Sequence, residues 1–445
     1  MSQSLFAQTA LQLARSLQQG DLSAIELVEH SLDRIAKHDG ELGAFVEICA
    51  ERARKEAQTV DAARKAGNKL PLFAGVPVGI KDLHAVAFMH LRMGSAAYRH
   101  LVVPIDDSAV KSLRRAGFIV VGKTSTSEFG ILPICETAIH PPTRNPFDPT
   151  RTACGSSGGS AAAVGSGLVP IALGGDGGGS IRIPASACGL IGYKPSRGRI
   201  PSPFAKLDKL NISTLGALAS DIDDAFAFSL ALRREDPSRP LPSPRPSLRI
   251  RFAVDAPIGQ TDAAIAKAVR NVAERLRVLG HDVTEAPGFA GGISEFLPIW
   301  MRAAMYTPVL FDRYTEPVTQ WLRRTGRAVS LDQARSALVR ISQRIDEWFG
   351  PADLWLLPTL PATPMRVGQF ASASPEDKFA GTAQLGYFTA VFNASGHPAV
   401  SLPCSLDDVG IPIGVQLVGR RDSDEALLAT ARTLGLPRLF PSRHF

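Results

Sequence analysis

Apolar and polar positions recur with a helical period through the first part of the chain. Leu11, Leu13, Ala14 and Leu17 mark a first helix, and Gly20 follows as a natural C-cap. Ser23-Ala-Ile-Glu26 is a capping box opening a second helix whose Val28, Leu32 and Ile35 share one face. A third, more polar helix over residues 51–65 stops at Gly67. The pattern then changes to short apolar runs. Residues 77–81 and 118–121 read as buried strands, separated by a helix over 108–116 that ends at Gly117. Strand, helix and strand keep this order through Gly192, which predicts parallel strands with helical crossovers.

Residues 233–247 (RREDPSRPLPSPRPS) interrupt the pattern and read as a Pro/Arg-rich surface linker. Beyond them come a strand over 248–254, an amphipathic helix over 264–279 capped at Gly280, and a strand over 281–285. A variable, mainly helical segment occupies 290–350. The chain then returns to the core with LWLLPTLP and GIPIGVQLVG. There is no internal repeat and no low-complexity tract. The expected fold is α/β, a single large domain over residues 1–445 with a mixed β-sheet core flanked by helices.

Composition adds a few exclusions. With 45% hydrophobic and 20% charged residues, the chain matches a globular protein with a large core. The net charge of +7 is spread over pairs such as Arg114–Arg115 and Arg323–Arg324, with no basic run interleaved with aromatics, so nucleic acid is not an expected partner. Five widely spaced cysteines form no CxxC or Cys/His ligand pattern, so reduced thiols in a cytoplasm are expected, with no metal and no cofactor. The N-terminal MSQSLFAQTALQ lacks the features of a signal peptide, and no run of about 18 apolar residues predicts a membrane span.

The candidate chemistry lies in residues 151–199, where GSSGG and GGDGGGS place Ser156 and Ser180 in glycine-rich loops. Such loops can turn several backbone N–H groups toward one point beside a hydroxyl, and acyl transfer by a serine needs both. No GxxxxGK[ST] is present, so a P-loop is excluded, and no G-x-S-x-G surrounds Ser180 as in an α/β-hydrolase. Flexible surface loops are the plain alternative. The apolar run of Val164, Leu168, Val169, Ile171 and Leu173 between the loops anchors both in a core. Pattern alone favours catalysis without deciding it.

The segment resembles the amidase signature family, with its GGSSGGS and GTDxGGSIRxPA loops. GVPVGIKD, GKTSTSEFG, PTRNPFDPTRT, FNASGHPAVSLPC and GIPIGVQLVGRRDSDEALL resemble further family blocks in family order, so the likeness spans essentially the whole chain. It implies a Ser–Ser–Lys relay in place of a Ser-His-Asp triad. Ser180 is the nucleophile, Ser156 (24 residues earlier, in a cis peptide) the bridge, and Lys81 the base. A base at this position must be neutral, which requires burial to lower its pKa. Lys123 matches a structural block instead.

Gly177, Gly178 and Gly179 are the expected oxyanion donors. Asp176 positions the loop, Ser157 and Thr152 join the network around the relay, and Arg182 is either structural or faces the pocket. The chain departs from the family pattern with ACGSSGG and GGDGGGS, bringing Cys154 and additional glycines to the two loops. These variants are nearest to the sub-group that includes 6-aminohexanoate cyclic-dimer hydrolase and bacterial urethanases. The resemblance implies hydrolysis of an amide, carbamate or ester of a small hydrophobic molecule, and leaves a homodimer open. Apolar residues of 128–135 (Phe129, Ile131, Leu132) and of 297–301 (Leu297, Trp300, Met301) are the expected substrate wall. The competing readings are a non-catalytic binding protein on the same fold and a glutamyl-tRNA amidotransferase A-type subunit.

Overall fold

Gly20 takes φ 85° at the end of the helix Ala10–Gln19, and the predicted capping box at Ser23 opens the helix Ala24–Leu42. The computed structural model describes residues 5–201, 208–256, 258–307, 309 and 311–441. The first four residues of the N-terminal stretch, and positions 308 and 310 of the helical segment, lie outside them. Among the described residues no helix is long and apolar enough to cross a membrane.

Among the described residues eleven strands form one sheet. They are β1 (Phe45–Ile48), β2 (Pro77–Lys81), β3 (Ile119–Thr124), β4 (Ile171–Asp176), β5 (Ile191–Lys194), β6 (Thr214–Ala219), β7 (Arg249–Phe252), β8 (Asp282–Glu285), β9 (Leu354–Pro358), β10 (Ala399–Leu406) and β11 (Pro412–Gly419). Their spatial order is β1-β3-β2-β4-β6-β5-β10-β11-β9-β7-β8. Helices cover the sheet and bury its central strands; every position of β2, β3, β5, β6, β9 and β11 is buried. This is the expected mixed sheet flanked by helices.

The expectation of parallel strands through Gly192 holds only in part. β3, β2 and β4 are parallel, with Lys81 opposite Thr124 and Ile80 opposite Leu173. β6 then inserts antiparallel between β4 and β5, pairing Asp176 with Thr214 and Gly192 with Leu218. Strand polarity depends on the partner, which short apolar runs do not specify. The segment near 290–350 holds the helices Ile293–Met305, Pro317–Gly326 and Leu331–Phe349. Between the helix Ile222–Arg233 and β7 the chain carries no regular element.

The polarity of the three parallel strands places the chemistry. Lys81, Thr124 and Asp176 are the last residues of β2, β3 and β4, so they share the carboxyl edge of one sheet, the usual ligand-binding edge of such an arrangement.

Candidate active site

Val78 and Ile80 of β2 are fully buried, and their strand carries Lys81 into the interior at 1% exposure. Its Nζ donates to Ser156 Oγ at 2.8 Å and to Ser157 Oγ at 2.9 Å, with a longer contact of 3.3 Å to Gly175 O. No carboxylate forms an ion pair with it among the described residues. Burial therefore disfavours the ammonium and pushes the Lys81 pKa down to about 7; the Cys135 thiol and the Asp176 carboxylate oppose this only in part.

Ser156 is buried, and the Gly155–Ser156 peptide is cis, as the resemblance implied. Ser157 precedes the helix Gly158–Gly165 and ties the two loops together. Its N–H donates to Ser180 O at 3.2 Å, and its hydroxyl donates to Gly175 O at 3.2 Å. Ser180 lines a cavity of ≈ 1190 Å³ together with Lys81, Ser156, Gly175, Asp176 and Gly177. The Ser180 hydroxyl has no hydrogen-bond partner among the described residues. Catalytic hydrogen bonds are often long until substrate closes the site.

Asp176 and Arg182 organise the loop from below. The carboxylate accepts from Gly179 N at 2.7 Å and Ile181 N at 3.2 Å, and from Arg182 Nε and Nη2, both at 3.0 Å. Asn393 Nδ2 adds a further donor at 2.9 Å. Burial alone would raise this carboxyl, but the Arg182 guanidinium and the donors around it more than offset that, holding it well below the usual carboxylate range. Arg182 is fully buried and also donates to Gln416 Oε1 at 3.1 Å and Asn393 Oδ1 at 2.7 Å. It is therefore structural.

Four expectations change, one of them Met301, which packs against the core and lines neither this cavity nor the one beside it. The Gly179 N–H is engaged by Asp176, so it is not available to an oxyanion; the N–H groups of Gly177 and Gly178 have no partner among the described residues. Thr152 accepts from Cys154 N at 3.1 Å and bends the chain ahead of the loop, outside the relay. Phe129 and Ile131 line the cavity, whereas Leu132 packs into the core. The other lysine behaves as expected, for Lys123 is buried against Asp82 at 2.6 Å. Trp300 lines the cavity from the helix Ile293–Met305, with Nε1 donating to Ile131 O at 3.1 Å. Leu297 lines an adjoining apolar cavity of ≈ 800 Å³ across the same indole.

Sequence reasoning missed part of the wall. His84, three residues after Lys81, lines the cavity with Nδ1 2.8 Å from Asp107 Oδ2. Asp208, Ser213 and Thr214 add polar groups to its lining, beside Ile212 and Leu215.

A family profile described as Amidase matches residues 26–428. The chain belongs to the Amidase family. It is 34% identical over 444 residues to a provisionally named amidase of Synechocystis sp., covering 96% of this chain and 88% of the relative. Identity to the A subunit of the glutamyl-tRNA(Gln) amidotransferase of Prochlorococcus marinus is 32% over 467 residues, 94% of each chain. Among solved structures, 6-aminohexanoate cyclic dimer hydrolase complexed with substrate aligns with TM-score 0.87 and 28% identity, covering 99% of this chain and 100% of that one. A bacterial aryl acylamidase of the amidase signature family shares the fold at TM-score 0.84 and 23% identity. As a member of this family the protein is a hydrolase of C–N bonds.

Proposed function

We propose that this amidase cleaves small, uncharged, hydrophobic amides, and carbamates and esters of similar shape, through an acyl-enzyme on Ser180. The observation that supports this most is the state of Lys81. It is buried, has no ion-pair partner among the described residues, is pushed down to about 7 by that burial, and sits 2.8 Å from the hydroxyl of Ser156.

In this reading neutral Lys81 takes the Ser156 proton as Ser156 takes that of Ser180. The Ser180 oxygen attacks the substrate carbonyl, and the Gly177 and Gly178 N–H groups donate to the oxyanion. The C–N bond breaks as the relay returns its proton to the departing amine. Water then attacks the acyl-enzyme, losing its proton to the same relay, and Ser180 is restored. The proton that leaves on the amine comes from Ser180, and the one that restores Ser180 comes from water; Ser156 and Lys81 only relay them.

A panel of aryl amides, carbamates and esters read for product release tests the proposal. Turnover of aryl amides by the parent, absent from Ser180→Ala, is expected. The likeness to the A chain of an amidotransferase favours a second reading, in which ammonia from glutamine passes to a partner. A preference of the purified chain for free glutamine would replace the first reading with that one.

A further inference from the structure

The stretch from β4 to Ser180 carries five glycines, and they are not equivalent. A Cβ on Gly174 would lie 2.6 Å from Leu218 Cδ2, and one on Gly179, whose φ is +124°, only 2.1 Å from Thr389 Oγ1. On Gly178 it would lie 3.1 Å from the Trp300 ring. Approaches under 3 Å close Gly174 and Gly179 to larger residues, and at Gly178 the indole would have to give by a few tenths of an ångström.

Gly175 and Gly177 differ. Neither takes a left-handed φ. A Cβ on Gly175 would meet nothing nearer than Leu215 Cδ2, at 3.8 Å. On Gly177 it would meet Ser213 Oγ at 3.2 Å, the end of a rotatable side chain, and then Trp300 at 3.6 Å. Both glycines line the cavity that holds Lys81, Ser156 and Ser180. Gly175 also lies within β4, where a glycine weakens the strand, and an interior strand glycine often marks close approach of a ligand to the backbone.

We propose that Gly175 and Gly177 determine specificity, leaving an open floor that admits bulk next to the reacting carbonyl, such as a branched or aryl acyl group. The inference rests on the Ser180 hydrolase reading. Gly175 O lies 3.3 Å from Lys81 Nζ, and the Gly177 N–H has no partner among the described residues, so the space at both positions adjoins the reacting centre. At Gly177 a Cβ would lie 3.6 Å from the Trp300 ring, and at Gly175 3.8 Å from Leu215, so a side chain at either glycine would narrow the cavity. A small acyl group would lose less by this than a phenyl ring.

The test uses the full chain, with Gly175→Ala and Gly175→Val. Two ratios are measured for each protein. One is kcat/KM for the benzoyl over the acetyl 4-nitroanilide. The other is the rate of Ser180 labelling by phenylmethanesulfonyl fluoride over that by methanesulfonyl fluoride, followed by intact mass. Both ratios should fall by about tenfold or more in Gly175→Val and by about threefold in Gly175→Ala, the scale of one or two methylenes in a fitted pocket. Ratios in folded Gly175→Val that stay within about twofold of the parent overturn the open floor while the hydrolase reading stands. Should Gly175→Val fail to fold by circular dichroism, Gly175→Ala decides, and an unchanged ratio there is equally fatal. No labelling and no turnover in the parent would sink the Ser180 reading, and the floor with it.

Discussion

Lys123 Nζ lies 2.6 Å from Asp82 Oδ1, and this buried pair separates the two lysines of the site. Asp82 follows Lys81 directly in the chain, yet successive side chains leave a strand end on opposite sides. The carboxylate therefore neutralises Lys123 and leaves Lys81 among hydroxyls and a carbonyl. Both lysines follow apolar runs and both are buried. Burial pushes the pKa of the unpaired Lys81 down to about 7.

The activity of the parent should rise with pH through about 7, the value to which burial pushes Lys81, because the neutral amine is the working form. Below that value the rate should fall about tenfold per pH unit. Lys81→Ala should lose about 10²–10⁴-fold in kcat and lose the rising limb. Lys194 provides the control. Burial, with Arg182 beside it, pushes its pKa down to about 7 as well, but its Nζ donates to Pro195 O at 2.8 Å. Lys194→Met should keep the rising limb; its disappearance there would assign the titration to the wrong lysine for this proposal.

Ser180→Ala should retain the fold, since the hydroxyl lines a cavity and makes no hydrogen bond among the described residues. Intact mass after treatment with a fluorophosphonate should show one adduct on the parent and none on the variant. An adduct of undiminished rate on Ser180→Ala would place the nucleophile elsewhere.

The blocks that carry Lys81, Ser156 and Ser180 are legible because they lie in order and the serines keep a fixed separation, and the fold brings all three to one cavity. Local signals served as well: Gly20 and Ser23 cap the helices where glycine and a capping box place them. What escaped depends on partners distant in sequence. Asn393 and Gln416 lie in quoted blocks, but nothing local says that both close on Arg182, more than 200 positions earlier. Gly179 looks like an oxyanion donor until Asp176, three residues before it, takes its N–H. Leu132 shares an apolar run with Ile131, and the fold sends one to the cavity and the other to the core. Antiparallel β6 had no signal, because strand polarity is a property of the pair.

Asp176→Ala should be the most damaging change away from the reacting groups. It strips the fully buried Arg182 of its carboxylate and frees the Gly179 and Ile181 N–H groups. Breaking a buried pair by removing one partner costs about 3–5 kcal/mol. Denaturant titration should show a loss of that size, and a loss under about 1 kcal/mol would contradict the cage. The pH dependence has a definite sign. The folded-state pKa of Asp176 lies below the usual value, so its stabilisation is complete above about 4 and disappears only as pH falls well below that. The parent should therefore keep this contribution through mild acid.

Substrate preference follows from the lining of the cavity. Phe129, Ile131, Trp300, Leu83 and Met93 give it apolar surface, and Asp208, Ser213 and Thr214 are its polar groups on the 208–215 segment. The Asp208 carboxylate is already occupied by the N–H groups of Leu210, Asn211, Ile212 and Ser213, at 2.8–3.2 Å, which leaves it poorly suited to a second charged partner. Burial of apolar surface gains about 25 cal/mol per Å², so an aryl ring against the apolar lining gains a few kcal/mol over a polar acyl group. Hydrophobic anilides and aryl carbamates should exceed glutamine and asparagine in kcat/KM by at least about tenfold, equivalent to about 1.4 kcal/mol in the transition state. Trp300→Ala should erase most of that margin by removing the largest apolar surface facing the loop. A margin that survives in Trp300→Ala would place the aryl group away from this indole. Glutamine turned over faster than any anilide would mean that the polar groups, not the indole, receive the substrate.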